Sequence, residues 1–532
     1  MAGMTTQWRP GRRIAGALLA GGIALLIAAL LVALWIASRQ FTTTGSSVTG
    51  ITDLLIGSAA QAALSTVLSI IAGLVLAWTL DRLRFPGRDL VIGLLSTALV
   101  MPSLVIVSGL LAVLGRNGWL NTVLSPLGLE TGSSIFGLGG IVTAHVLLNG
   151  AFSARIFIDR LAAIPAEKLK LGRSLGLGPI QRITIIDTPA LAASIPGVAA
   201  TIFLLCFTSF PIVLTLGGGP AYQTFEVAIF QAVRLDFDLG AAVSLAMVQL
   251  LVCAMIIIPA TTLGPAATLF GARASIHWPE RSGLAALQTV LLIALLTAFL
   301  APLAAVLAEG FAAIGDIIVQ PAFWHATGTS LVIGSLSAIL AVGLGIALGM
   351  ARALQPRGTL IRALLGFPVF AYLAVPAVVL SLGFFLLARL TGFAPTTLAP
   401  LVLILANALL ALPFVFATLA PPLEALALRH HRLIRALGIS SFTQWRRIEW
   451  PLLAQPIGYG LAIAFVFSLG DLGVISLFGT SEFSTLPWLM YRAFGAYRTN
   501  DAEAIAAILL LLSVTAFVFI PKLLDRLTHA RD

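Results

Sequence analysis

Charge is scarce in this chain: only 10% of its 532 residues are Asp, Glu, Lys or Arg, against about 25% in an ordinary soluble domain. Hydrophobic residues make up 59%, and the mean hydropathy is +1.05. No soluble domain of this size can hide so much apolar surface, so lipid is the expected solvent. Cysteine is nearly absent. Cys206 and Cys253 stand alone in apolar stretches, which excludes a disulfide framework and a cysteine metal site and leaves both as small packing residues. Lysine is almost as rare, with three against 28 arginines. The three lysines follow Glu167, Leu169 and Pro521, so no Gly-Lys precedes Ser or Thr and the sequence holds no P-loop. The six histidines are scattered apart from His430-His431, and no His/Asp/Glu cluster falls at midplane depth, which argues against a membrane-embedded enzyme.

What is present is a series of long apolar runs. Twelve can span a bilayer: 14–37, 54–80, 90–114, 135–158, 195–216, 240–263, 285–307, 327–351, 363–387, 399–419, 457–478 and 502–520. At 1.5 Å rise per residue, about 20 residues cross a ~30 Å hydrocarbon core. The runs are helix-length rather than alternating, so the expected fold is an all-α polytopic membrane protein, not a β-barrel. The first run is long for a signal-peptide core and no persuasive A-x-A site follows it, so it reads as a retained helix. With the N-terminus inside, 25 of the 31 lysines and arginines fall on inner segments and helix ends. This positive-inside bias places both termini in the cytoplasm. It also accounts for the net charge of +10 without nucleic acid.

The chain repeats itself. Gly176, Ile186 and Pro189 recur in the same spacing as Gly438, Ile448 and Pro451, 262 residues on. Pro102 to Gly109 likewise matches Pro376 to Gly383. The expected organisation is two six-helix halves in the same orientation, 1–263 and 284–532, about an axis along the membrane normal, with a cytoplasmic join at 264–283. Each repeated loop, 160–191 and 422–453, faces the cytoplasm. The first carries an amphipathic stretch suited to a surface helix, a glycine for a sharp turn, and a proline to start the next membrane helix.

These loops resemble the EAA motif of binding-protein-dependent ABC importer permeases, E-A-A-x-x-x-G-x9-I-x-L-P. The resemblance implies a type I importer fold, two cytoplasmic ATPase copies docking on the loops, ATP-Mg held by that partner, a periplasmic binding protein, and an inner-membrane location. It marks Gly176, Ile186, Pro189, Gly438, Ile448 and Pro451 as coupling residues. The motif's Glu is replaced by Lys170 and Arg432, with Glu167 nearby in the first loop, so a specific acidic contact to the ATPase is not carried over. Within that superfamily, 207–242 and 468–504 are similar to the fused permeases of thiamine importers, notably in LTLGGGP and STLPWLMYRAFGAYR. Fused iron(III) permeases remain the alternative. An ion-gradient-driven secondary transporter is the alternative of another class, though it expects several ionisable residues in the helices and leaves the loops unexplained.

Asp471 stands nearly alone as an ionisable residue within a span, and its first-half counterpart is Ser209. An intramembrane carboxylate faces a bundle interior or wet cavity, so the pair marks a candidate path for a cation such as the thiazolium of thiamine. A structural role, with Asp471 bonded to backbone, is the competing reading. Tyr222, Phe225, Phe230, Phe237, Trp488, Tyr491, Phe494 and Tyr497 are expected as interfacial anchors or an outer gate, with Glu226, Asp236, Asp238, Arg492 and Arg498 as rim charges.

Overall fold

In a computed structural model, residues 10–40, 48–98, 101–128, 135–219, 222–262, 278, 282–356, 358–372, 375–436 and 441–529 are described, and none of them is in a strand. This follows from the solvent, since in lipid a helix satisfies its backbone without a neighbour. The order begins α1 (Pro10–Gln40), α2 (Val48–Arg82), α3 (Arg88–Thr97), α4 (Ser103–Leu114) and α5 (Trp119–Leu124). It continues with α6 (Leu138–Ala162), α7 (Ala166–Ser174), α8 (Pro179–Arg182), α9 (Thr188–Ala192) and α10 (Ile195–Phe207). α11 (Pro211–Leu216), α12 (Phe225–Arg234) and α13 (Leu239–Thr262) complete this part. Next come α14 (Ser282–Ile318), α15 (Pro321–Ala353), α16 (Leu360–Ala371), α17 (Ala377–Leu390) and α18 (Pro395–Ala436). The last are α19 (Ser441–Gln444), α20 (Trp450–Leu469), α21 (Gly473–Phe478), α22 (Leu486–Gly495) and α23 (Thr499–His529).

Ten helices among the described residues are long and apolar enough to cross a membrane, and an eleventh if Pro179–Ala192 and Ile195–Phe207, bent by 57°, form one span. The ninth expected run, 363–387, is divided between α16 and α17, with Pro376 at the N-cap of α17. Pro102 does the same at the N-cap of α4. A proline has no N–H to continue the ladder, so each run breaks there. The repeated Pro-to-Gly pattern therefore marks the start of an equivalent helix in both parts. Leu18, Leu25, Val290 and Ile339 are each more than 60% exposed on the outer faces of α1, α14 and α15, as lipid-facing residues are.

The first helix of each part packs on the other part. α1 lies against α15, α16 and α17, while α14 lies against α2 and α4 as well as α23. Small residues permit the exchange. A Cβ at Gly109 of α4 would come within 2.3 Å of the Pro302 carbonyl oxygen on α14, and one at Gly383 of α17 within 3.3 Å of Leu30 on α1. Gly109→Leu is therefore expected to destabilise the protein by about 1–3 kcal/mol through overpacking, read as a lower thermal midpoint in detergent. Gly93→Leu, where a Cβ meets nothing within 4 Å, leaves the midpoint unchanged.

The two repeated loops share a further feature. A π-helical turn, Ile183–Asp187, follows α8, and a second, Trp445–Glu449, follows α19. Each precedes a proline by two residues, Pro189 and Pro451, whose missing N–H disturbs the regular ladder just upstream. Pro189 thus starts the short α9 rather than the membrane helix, and the chain bends again at Ala193-Ser194 before α10. In the second part α20 runs unbroken from Trp450 to Leu469.

Candidate functional site

The largest buried apolar cluster runs across the seam between the two parts, and a cavity of about 290 Å³ lies there. Its wall is built from the middles of α6 and α18, the ends of α10 and α20, and the starts of α4, α11 and α17. Ser209 and Asp471, paired in the sequence by position alone, both line it. Among the described residues Asp471 is the one acidic residue in that wall, and no lysine or arginine accompanies it.

The break between α20 and α21 positions Asp471. A Cβ at Gly470 would come within 3.0 Å of Pro102 Cα, and one at Gly473 within 2.6 Å of Ala377 Cβ. Only glycines at these two places let the break sit between the N-caps of α4 and α17. Asp471 Oδ1 accepts the Val474 N–H at 3.1 Å, and Oδ2 accepts the Ile475 N–H at 3.4 Å. The carboxylate is half-buried and caps α21 while facing the cavity. Both readings of Asp471, backbone partner and cavity residue, describe the same side chain.

Two asparagines in the same wall were legible only as interruptions of apolar runs. Asn149 Nδ2 donates to Cys206 Sγ at 3.4 Å, and Asn407 Nδ2 donates to Ser468 Oγ at 2.9 Å. Cys206 and Ser468 are again 262 residues apart. An amide that satisfies the same position in both parts holds α6 to α10 and α18 to α20, giving the cavity its paired walls.

The outer helices correct the expectation of an aromatic rim. Phe225, Phe230 and Trp488 are buried. Phe230 packs edge-on against Phe210 at 5.4 Å and against Tyr491 at 6.4 Å, which joins α12 to α22 across the seam. Arg234 Nη2 donates to the Gly479 carbonyl at 2.5 Å, with its guanidinium over the Trp488 ring. Glu226 is not a rim charge. It is fully buried on α12 and accepts the Val378 N–H of α17 at 3.1 Å and Gln249 Nε2 at 3.3 Å. The helical period of α12 turned it inward, a fact invisible in a segment read as a loop. Exposed aromatics remain at Tyr222, Phe237 and Tyr497, and the last two, 81% and 92% exposed, sit at equivalent turns. Phe237 and Tyr497 have positive φ, 55° and 57°.

On the opposite side, the first loop folds as a compact elbow. α7 carries Glu167 and Lys170 on its exposed face and ends at Gly176, φ +67°. The Gly176 N–H donates to the Arg173 carbonyl and the Leu177 N–H to that of Gly172, both at 3.1 Å. That pairing is a Schellman cap, which requires the left-handed glycine. Ile186 is buried, and a Cβ on Gly172 would come within 2.8 Å of its Cδ1. The small residue at a motif Ala position is thus explained by the motif Ile, which packs on it beside Trp278. Pro189 is exposed. Beneath the elbow, Arg82 at the end of α2 pairs with Asp81 and Asp187, and Arg182 lies 3.6 Å from Asp81. Arg182 also donates to the Trp278 carbonyl at 3.0 Å and stacks over that ring. Leu171, Leu175 and Ile180 remain exposed around the turn at 59%, 68% and 77%.

In the second loop Gly438 lies outside the described residues, and Arg432 is helical within α18 with its side chain undescribed. Ile448 is half-buried and Pro451 exposed, as part of the turn into α20. Glu449, equivalent to Asp187, is fully buried and accepts from Gln444 Nε2 at 2.6 Å.

No family model matches this chain. Whole-chain relatives are clear. The thiamine transport system permease protein ThiP of Escherichia coli K12 is 38% identical over 476 residues, 88% of this chain and 88% of the relative. The protein of the same name from Brucella melitensis is 37% identical over 458 residues, 84% and 83%. That from Haemophilus influenzae is 35% identical over 473 residues, 88% of each. With a multi-pass helical fold, a cavity at the seam and similarity along most of its length, this chain belongs to the family of thiamine transport system permease proteins.

Proposed function

We propose that the chain is the membrane-spanning subunit of an ATP-driven importer that carries thiamine or its phosphates across the bacterial inner membrane. The observation that carries this is the seam cavity with Asp471 as the one acidic side chain among its described residues, in a chain similar to permeases named for thiamine transport. Thiamine and its phosphates share a thiazolium cation. A carboxylate in a low-dielectric cavity lowers the barrier to such a charge. Ser209, on the equivalent turn of the first part, supplies a hydroxyl to the same path.

ATP-Mg belongs to a separate subunit, two copies of which seat on the cytoplasmic elbows. The exposed Leu171, Leu175 and Ile180, among the cations of α7, form a surface that a groove on that partner would cover. ATP binding draws the two partners together and moves the elbows as rigid bodies, opening the cavity outward. There a binding protein meets the Phe237 and Tyr497 turns and releases its cargo, and hydrolysis restores the inward state. The chain performs no covalent chemistry in this cycle.

Gly176→Val tests the elbow. A β-branched residue in the left-handed region costs about 1–2 kcal/mol, so the Schellman cap opens and the exposed leucines shift. ATPase co-purification is expected to fall severalfold with the amount of permease unchanged. Equal co-purification removes the coupling role of this turn and favours a gradient-driven transporter. The substrate is tested by uptake of labelled thiamine and of iron(III) in cells lacking the chain, with and without its restoration. Restored thiamine uptake with iron unchanged supports the reading, and the reverse replaces thiamine by iron(III).

A further inference from the structure

His145 has no part in the cycle above, yet it stands in the wall of the same cavity, 2% exposed in the middle of α6. Two residues of α2 hold its ring. Gln61 Nε2 donates to Nδ1 at 2.9 Å, and Ser65 Oγ lies 3.2 Å from the same nitrogen. Gln61 Nε2 also donates to Ser65 Oγ at 3.2 Å. With the Gln61 amide oriented so that its nitrogen faces Nδ1, that ring nitrogen is the acceptor and the proton of the neutral ring resides on Nε2. That Nε2 is buried and has no hydrogen-bond partner among the described residues. A buried donor left unmade is unfavourable, and such groups persist where something else meets them.

The second part has no equivalent. In the register that aligns Asn149 with Asn407, His145 aligns with Leu403, a buried core residue. The cavity is therefore lopsided. One part contributes a carboxylate that favours positive charge, and the other an N–H donor pre-set by Gln61.

We propose that His145 is a specificity-determining residue whose Nε2–H donates to a heteroaromatic ring nitrogen of the substrate while Asp471 faces its positive charge. The cavity then selects molecules that join a cation to a hydrogen-bond-accepting nitrogen heterocycle, as the thiazolium and aminopyrimidine rings of thiamine do. This rests on the thiamine reading above. It adds that the neutral ring, and not the cation alone, is recognised within the membrane.

The test uses the complete transporter in proteoliposomes with saturating loaded binding protein. Labelled thiamine is compared with the two analogues in which one pyrimidine nitrogen is replaced by C–H. For the wild-type chain, one of the two analogues is expected to move about tenfold more slowly than thiamine, the cost of leaving one buried donor unpaired. His145→Phe lowers the thiamine rate by a similar factor and erases the difference between the compounds, while His145→Gln, which keeps an N–H donor, restores both. His145→Met serves in place of His145→Phe if the latter fails to accumulate. A wild-type thiamine rate in the apolar variant, or undiminished discrimination by it, overturns the proposal. If the wild-type transporter moves no thiamine, the functional reading fails instead, and this inference falls with it.

Discussion

Asp471→Asn is expected to lower thiamine uptake about 100-fold, since one charge pair at about 5 Å with an effective dielectric near 20 is worth about 3 kcal/mol. The substitution is chosen because it separates two roles. Asp471 caps α21 through the N–H groups of Val474 and Ile475, and an asparagine carbonyl still accepts such a bond. The helix therefore keeps its start, and the variant should reach the membrane in normal amount. Stimulation of the ATPase by loaded binding protein should persist, because the elbows are untouched. Asp471→Ala removes the cap as well and costs about 1 kcal/mol more, which a thermal midpoint will register. If Asp471→Asn transports like the wild type while Asp471→Ala is merely less stable, the carboxylate is a cap and nothing more. The cation path would then have to be sought elsewhere in the cavity wall.

The second large effect belongs to the elbow. Asp187→Ala should destabilise the protein by about 3 kcal/mol, the lower end for removing one partner of a buried ion pair. Arg82 is almost fully buried, and after the change Asp81, 22% exposed, is the acidic partner left beside it. The damage is not confined to α2. Asp187 ends the π-turn whose Ile186 packs on Gly172, and Arg182 ties the same turn to Trp278. Loosening that knot lets α7 move without α2, so ATP hydrolysis should continue with transport per ATP reduced. Measured together, the thermal midpoint and the transport-to-hydrolysis ratio should both fall. Asp187→Asn keeps an acceptor without charge and should lie between. An unchanged ratio in a destabilised protein would assign the network to stability alone.

Much of the architecture was legible because lipid imposes a simple rule. Runs of about 20 apolar residues must be helices, and most runs proved to be so. Among the described residues four runs are divided: 90–114 at Pro102 and 363–387 at Pro376, where composition is still apolar but the backbone cannot continue, and 195–216 and 457–478 at the breaks before α11 and α21. The Gly176, Ile186 and Pro189 spacing was legible for a local reason, since a Schellman turn and a proline act within a few residues of themselves. Glu226 was misplaced because a charged residue in a presumed loop was assigned to water, whereas the amphipathic α12 buries it against the backbone of α17. The aromatic cluster erred the same way: Phe230 and Trp488 belong to the seam, and Phe225 packs on Phe207 within the first part.

By itself the sequence determined the solvent, most of the helices, the repeat and the turn at the first elbow, because all of these depend on neighbours along the chain. Tertiary structure decided the rest. The exchange of α1 and α14, allowed by glycines at 109 and 383, brings the two parts together in a way no spacing reveals. The company of Asp471 was settled by packing as well. His145 and Asn149 come from α6, Asn407 from α18 and Ser209 from the break between α10 and α11, and only the meeting of these elements at one seam turns scattered polar residues into a single cavity.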